Sequence, residues 1–177
     1  MKSKLNIPPK LLAILFVLSA LGFAYYRYYT PKLSSGDKAI DFTLDISGKP
    51  LKVSSLQGKY VLLSFWGSWC PPCRREAPQL VALYHDFHKR SYLDADGFEI
   101  LSIGIETNEK NWRSAIQKLD LIWPYHHTDL MRFDAPIARQ YGVRSIPTKF
   151  LIDPKGKIIA VNPDFDRIRT LLREASR

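Results

Sequence analysis

Residues 11–24 are apolar without a single charge, and Tyr25, Tyr26, Tyr28 and Tyr29 follow with Arg27 among them. As a helix, residues 11–26 cover about 24 Å, short of a hydrocarbon core of about 30 Å unless Ile7 or the tyrosines contribute. Residues 30–36 are polar, with Pro31 and Ser34-Ser35-Gly36, and read as a linker. Beyond it the pattern is that of a folded domain. Residues 42–44 and 50–53 flank Ser47-Gly48-Lys49, a turn signal that predicts a hairpin. Residues 61–66 are apolar apart from Ser64 and short enough for a buried strand, beginning as early as Tyr60. From Cys73, apolar residues recur at Ala77, Leu80, Val81 and Tyr84, the spacing of a helix that runs to about residue 90 with Pro78 inside it, where a kink is expected. A second buried strand is predicted over 98–105. Helices are predicted over 111–119, 134–141 (ended by Gly142) and 165–173, and a hairpin joins 150–152 to 157–161 across Asp153-Pro154-Lys155-Gly156. Strands alternating with helices predict an α/β sheet covered on both faces.

Composition changes this picture little. A chain of 177 residues with 46% hydrophobic content suits one compact domain plus an appendage. The formal charge of +9 is concentrated at the start: Lys2, Lys4, Lys10, Arg27 and Lys32 face no acid, leaving 21 of the 26 basic residues against 17 acidic ones. No basic helix or aromatic-interleaved basic stripe stands out, so nucleic acid is not an expected partner. The N-terminal division is residues 1–10 in the cytoplasm, 11–29 as a membrane anchor or signal peptide, 30–36 as linker and 37–177 as the domain. Gly22-Phe23-Ala24 fits a signal-peptidase site, whereas the tyrosine cluster resembles an interfacial belt and favours an anchor.

Cysteine changes it most. Both cysteines stand in one Cys70-Pro71-Pro72-Cys73, at the junction of strand and helix. Two cysteines this close cannot staple a scaffold, so the pair is read as chemistry. A helix N-terminus favours the thiolate and lowers such thiols to pKa values of about 3.5–7.5. Cys70 is expected to be the exposed nucleophile and Cys73, one turn on, the resolving thiol. Pro71 and Pro72 lack an N–H and remove two donors from the thiolate. His85 and His88 lie three apart but without a completing ligand, and read as surface or boundary histidines. His126-His127 with the two cysteines would suit Cu(I).

Phe65-Trp66-Gly67-Ser68-Trp69-Cys70-Pro71-Pro72-Cys73-Arg74-Arg75-Glu76-Ala77-Pro78 resembles the active site of the TlpA/ResA/CcmG branch of the thioredoxin-like thiol-disulfide oxidoreductases, within the AhpC/TSA-redoxin superfamily. The likeness spans about 36–164. It takes in 36–44 as a lead-in hairpin, Leu56-Gln57-Gly58-Lys59 before the first core strand, and Ile146-Pro147-Thr148 opposite the cysteines. It implies a thioredoxin-like fold with an N-terminal β-hairpin and a central strand-helix insertion, for which 98–105 and 111–119 are the candidates. Glu76 is implied in proton handling for the cysteine pair; by its position alone it could equally be a solvated acid of the first helical turn. Pro147 is implied to be cis, with the backbone of Ile146 offered to a substrate strand. Trp69, Pro71 and Pro72 would flank that strand, and Trp66 is expected in the core. Thioredoxin carries a buried aspartate where Ser64 stands, and the departure makes Glu76 or water the needed base. Glu106 is expected as a strand-end surface acid.

The resemblance further implies a monomer anchored in a bacterial cell membrane with its domain on the extracytoplasmic side. Its partners would be exported proteins with disulfides, such as apocytochrome c, and a membrane thiol-electron donor. No metal or cofactor is expected beyond the redox-active disulfide. Two alternatives stay open on the same fold: a Cu(I) metallochaperone, although such carriers space their cysteines by three residues, and a thiol peroxidase.

Overall fold

The computed structural model describes residues 8–46 and 48–176, and the chain divides into two units, Met1–Thr30 and Pro31–Arg177. The first seven residues of the expected cytoplasmic start, and Ser47 of the predicted turn, lie outside the described residues. In the first unit, helix α1 spans Pro9–Tyr29. Pro9 suits the first turn, where an amide would have no helical partner. The helix ends where Thr30 turns both its N–H (3.0 Å) and its hydroxyl (2.8 Å) back to the Tyr26 carbonyl. At about 1.5 Å per residue it is about 32 Å long. It outruns residues 11–26 because Pro9 and Lys10 start it early and the tyrosines carry it on. No residue of it is buried, although it is apolar on every side.

In the second unit a five-stranded sheet has the order β5-β4-β3-β6-β7. Strand β3 (Tyr60–Trp66) pairs parallel with β4 (Phe98–Gly104) and antiparallel with β6 (Thr148–Ile152). Strand β5 (Tyr125–His127) lies parallel beside β4, and β7 (Ile158–Val161) antiparallel beside β6. Every residue of β3 and β4 is buried, which is why both read as nearly unbroken apolar runs. Strand alternation sends Leu62 and Trp66 to one face, where helices α2 (Pro71–Phe87) and α5 (Phe165–Glu174) pack along with Trp112 of α3 (Glu109–Lys118). Val61, Leu63 and Phe65 go to the other, under α4 (Pro136–Tyr141) and the hairpin β1 (Thr43–Ile46) and β2 (Lys49–Lys52). Helix α5 closes the first face with Phe165, Ile168 and Leu172, each worth roughly 1.5–3 kcal/mol of burial, and Asp164 caps it by accepting the Arg167 amide at 2.7 Å.

Several boundaries depart from the sequence pattern, and α2 ends at Phe87 rather than near residue 90. Residues 36–39 form no hairpin; they run along the second unit's C-terminal hairpin, with the amides of Gly36 and Ala39 donating to Ile158 and Gly156 at 2.8 Å. The helix expected from 134 starts at Pro136, because Ala135, preceding a proline, is extended. Strand β5 has no apolar alternation to announce it. The strand added at the sheet edge is therefore β5, with α3 as its lead-in, while β4 stands inside the sheet next to β3.

Candidate active site

The C-terminal end of β3 feeds directly into α2, and the cysteines sit at that junction. Cys70 is the N-cap residue of α2, and Cys70 and Cys73 form a disulfide. A helix leaves its first amides without partners. Since Pro71 and Pro72 have none, the first available amide is that of Cys73, and it donates to Cys70 Sγ at 3.2 Å. The two prolines thus direct the single remaining N–H of the turn onto the outer sulfur. The expected exposure of Cys70 is not observed: in the disulfide state Cys70 is 3% and Cys73 4% exposed. The rim of the turn covers Cys70, so a partner reaches it by lying across its neighbours.

Those neighbours are Trp69 and the loop 67–69. Trp69 is 45% exposed, and its indole N–H donates to the Ile105 carbonyl at 2.7 Å. Phe133 meets its ring edge-on at 6.5 Å between centroids, and the Arg132 guanidinium lies 4.4 Å over its face. Beneath it Gly67 is required: a Cβ there would come within 2.8 Å of the Trp69 indole nitrogen and 3.1 Å of Ile146 Cδ1. Trp66 is buried in the core, as its place in the strand predicts. Glu106 is not the surface acid expected from its strand-end position. It is 2% exposed and its carboxylate accepts from both the amide and the hydroxyl of Ser68, pinning the loop that carries Trp69.

Across from the cysteines, the Ile146–Pro147 peptide is cis, and the Ile146 carbonyl oxygen stands 3.8 Å from Cys70 Sγ. Thr148 closes this loop by donating its hydroxyl to the Ser145 carbonyl at 2.8 Å. One residue further, Lys149 is opposite Ser64 in the ladder, so its side chain points to the α2 face of the sheet. There its ammonium reaches Glu76 Oε2 at 2.6 Å and lies 5.2 Å from the centroid of the Phe165 ring. Glu76 is therefore not a solvated first-turn acid; it is half-buried and ion-paired to the strand that follows the cis-proline loop. Sequence reading missed Lys149. The one available signal was a lysine just ahead of the apolar run Phe150-Leu151-Ile152, two residues after Pro147.

The histidines go elsewhere. His85 is exposed, and His88 stacks on Tyr84 and contacts the Phe98 carbonyl. His126 and His127 are consecutive in β5 and point to opposite faces. His126 stacks on Trp123 and bonds the Leu121 carbonyl, and burial lowers its pKa to about 4; His127 bridges the Asp45 carbonyl and Asp129. Among the described residues no group of three or more His, Cys, Asp and Glu side chains is arranged to hold a metal. What the site brings together is a disulfide beside an exposed indole, a backbone carbonyl from a cis-proline loop, and a carboxylate-ammonium pair beneath.

Comparison with known proteins agrees with this geometry. Residues 35–161 match the sequence profile of the AhpC/TSA family. The thiol-disulfide oxidoreductase ResA of Geobacillus thermodenitrificans is 32% identical over 162 residues, covering 89% of this chain and 87% of that protein. The thioredoxin domain of a thiol-disulfide oxidoreductase from Bacteroides vulgatus superposes with a TM-score of 0.69 at 26% identity, over 80% of this chain and 99% of that one. A thiol-disulfide oxidoreductase from Bacteroides fragilis superposes with a TM-score of 0.68 at 29% identity, over 78% and 98%.

Proposed function

Because the chain belongs to the AhpC/TSA family and is a thiol-disulfide oxidoreductase of the ResA type, we propose that it reduces disulfides in exported proteins from a membrane-anchored position. The observation that carries the reading is the Cys70–Cys73 disulfide at the head of α2, with the Ile146 carbonyl and the Trp69 indole on its rim. In the reduced enzyme, the Cys70 thiolate attacks one sulfur of a client disulfide. A mixed disulfide forms and the first client thiolate leaves. Cys73, deprotonated, then attacks Cys70 Sγ, closing the enzyme disulfide and expelling the second client thiolate. The client gains two electrons and two protons; the enzyme loses two electrons and the proton of Cys73, and the second proton comes from water because Cys70 reacts as the thiolate. Glu76, three residues after Cys73 on α2, is the carboxylate placed to accept the proton of Cys73. An extended client segment bonds the backbone of Ile146 beside Pro147 and lies over Trp69, Pro71 and Pro72.

Helix α1, about 32 Å long and apolar on all sides, supports an anchor, and the lysines before it support a cytoplasmic N-terminus with the domain on the far side. That compartment is oxidising, so a membrane thiol-electron donor must re-reduce the Cys70–Cys73 bridge. No cofactor is needed beyond that bridge. Apocytochrome c is the client class that best fits a reductant there.

Cys73→Ala in the full chain tests this directly. The variant leaves mixed disulfides on Cys70 unresolved, and exported cysteine-containing proteins, cytochrome precursors among them, are expected on non-reducing gels. If Cys73→Ala captures nothing beyond a Cys70→Ala/Cys73→Ala control, the reading fails.

A further inference from the structure

We propose that the client recognised at this site carries acidic residues beside its disulfide. The inference rests on the thiol-disulfide reading above and adds the chemistry of the substrate.

Two shallow clefts flank the cysteine turn. One, of about 310 Å³, runs between Trp69 and α3 and is lined by Arg74 and Lys118. The other, of about 320 Å³, borders Pro71 and is lined by Arg74 and Arg75. No carboxylate is among the described residues that line either. Arg74, Arg75 and Lys118 are all exposed, and none makes an ion pair among the described residues. On its other side Trp69 carries Arg132 over its ring face. The indole shelf beside Cys70 is thus bordered by cations on both flanks.

Local stability does not explain this arrangement. Arg74 and Arg75 stand near the start of α2, whose first turn has no acid, and a cation there opposes the helix dipole. Other exposed cations of the domain, such as Lys110, Lys155 and Arg167, also make no ion pair among the described residues, whereas Arg113 and Arg139 pair with Glu109 and Asp134; what sets Arg74 and Lys118 apart is their place in the cleft beside Trp69. The carboxylates near the cysteines are turned inward instead, Glu76 to Lys149 and Glu106 to Ser68, so neither offsets the surface charge. A peptide segment that crosses Trp69 to reach Cys70 enters a field of one sign. Residues just before and after its cysteine pass between Arg132 on one side and Arg74 and Lys118 on the other. Such fields act mainly on the rate of encounter, by about tenfold or more at low salt.

The test uses the reduced full-length protein and two peptides, each with one intramolecular disulfide, identical except for aspartates or lysines flanking the cysteines. The rate of peptide thiol release is measured at low and high salt. The aspartate peptide is expected to react about tenfold faster at low ionic strength, and the gap is expected to close toward 1 M salt, where the screening length falls to about 3 Å. Arg74→Glu/Lys118→Glu is expected to invert the order, and Arg74→Ala/Lys118→Ala, which adds no new charge, to shrink it. Equal rates for both peptides at low salt, or a preference unchanged in both double variants, overturn the inference while leaving the oxidoreductase reading intact. Reduction of neither peptide overturns both.

Discussion

Lys149 is the residue on which the lower half of the site turns. Its side chain is 7% exposed, it is paired to a Glu76 side chain that is 28% exposed, and the pair ties α2 to the strand behind the cis-proline loop. Removing one member of a buried pair costs more than the pair itself contributes, because the survivor keeps its charge without a partner. Glu76 can turn partly to water, so the cost of Lys149→Met is set at about 1–3 kcal/mol, below the range for fully buried pairs. Glu76→Gln/Lys149→Met is expected to be less destabilised than the two single changes added together, by about 0.5–3 kcal/mol. Urea unfolding of the four proteins reads this; strict additivity would show that the two side chains do not act on each other. Glu106 teaches a related lesson. A strand-end acid usually faces water, yet here two donors on Ser68 satisfy the buried carboxylate.

At the scale of elements, the weakest announced part of the domain is the edge formed by α3 and β5. It is held by Trp112 under α3 and by His126, whose ring packs against Trp123. Burial keeps His126 neutral, with its pKa lowered to about 4 from 6.5. Between those values the unfolded chain binds a proton that the folded chain does not. Stability therefore falls as pH drops from about 6.5 to about 4 and is fully present above 6.5. A gap of roughly two and a half pH units corresponds to about 3 kcal/mol as an upper figure. Thermal unfolding between pH 4 and 7 is expected to show this slope in the wild type and a shallower one in His126→Gln. A slope equal in both proteins would mean that His126 is not the group responsible.

At the scale of the molecule, two units of different character share one chain. The second buries two apolar clusters on either side of its sheet, whereas no residue of helix α1 is buried. An apolar helix of this length exposed to water is a liability unless a bilayer covers it. A chain truncated to residues 31–177 is expected to stay soluble and folded and to keep its Cys70–Cys73 exchange activity, while only the full chain floats with lipid vesicles in a density gradient. Flotation of the truncated chain, or its failure to fold, would contradict this division of labour.

Local pattern was enough for much of this protein. Residues 61–66 announced β3, the spacing from Cys73 announced α2, and Cys70-Pro71-Pro72-Cys73 between them announced the chemistry, because strand, helix and thiol pair are all properties of neighbours in sequence. The apolar run at 11–24 was legible for the same reason. Tertiary structure alone decided the rest. Cys70 is covered because a turn packs around it, Glu106 is buried because Ser68 reaches it from another element, and β5 is a strand because β4 offers an edge to its three residues. Lys149 meets Glu76 across 73 positions of sequence, through the alternation of β6 and the facing of α2. No window along the chain contains that contact; it exists only once the sheet has brought both residues to one face.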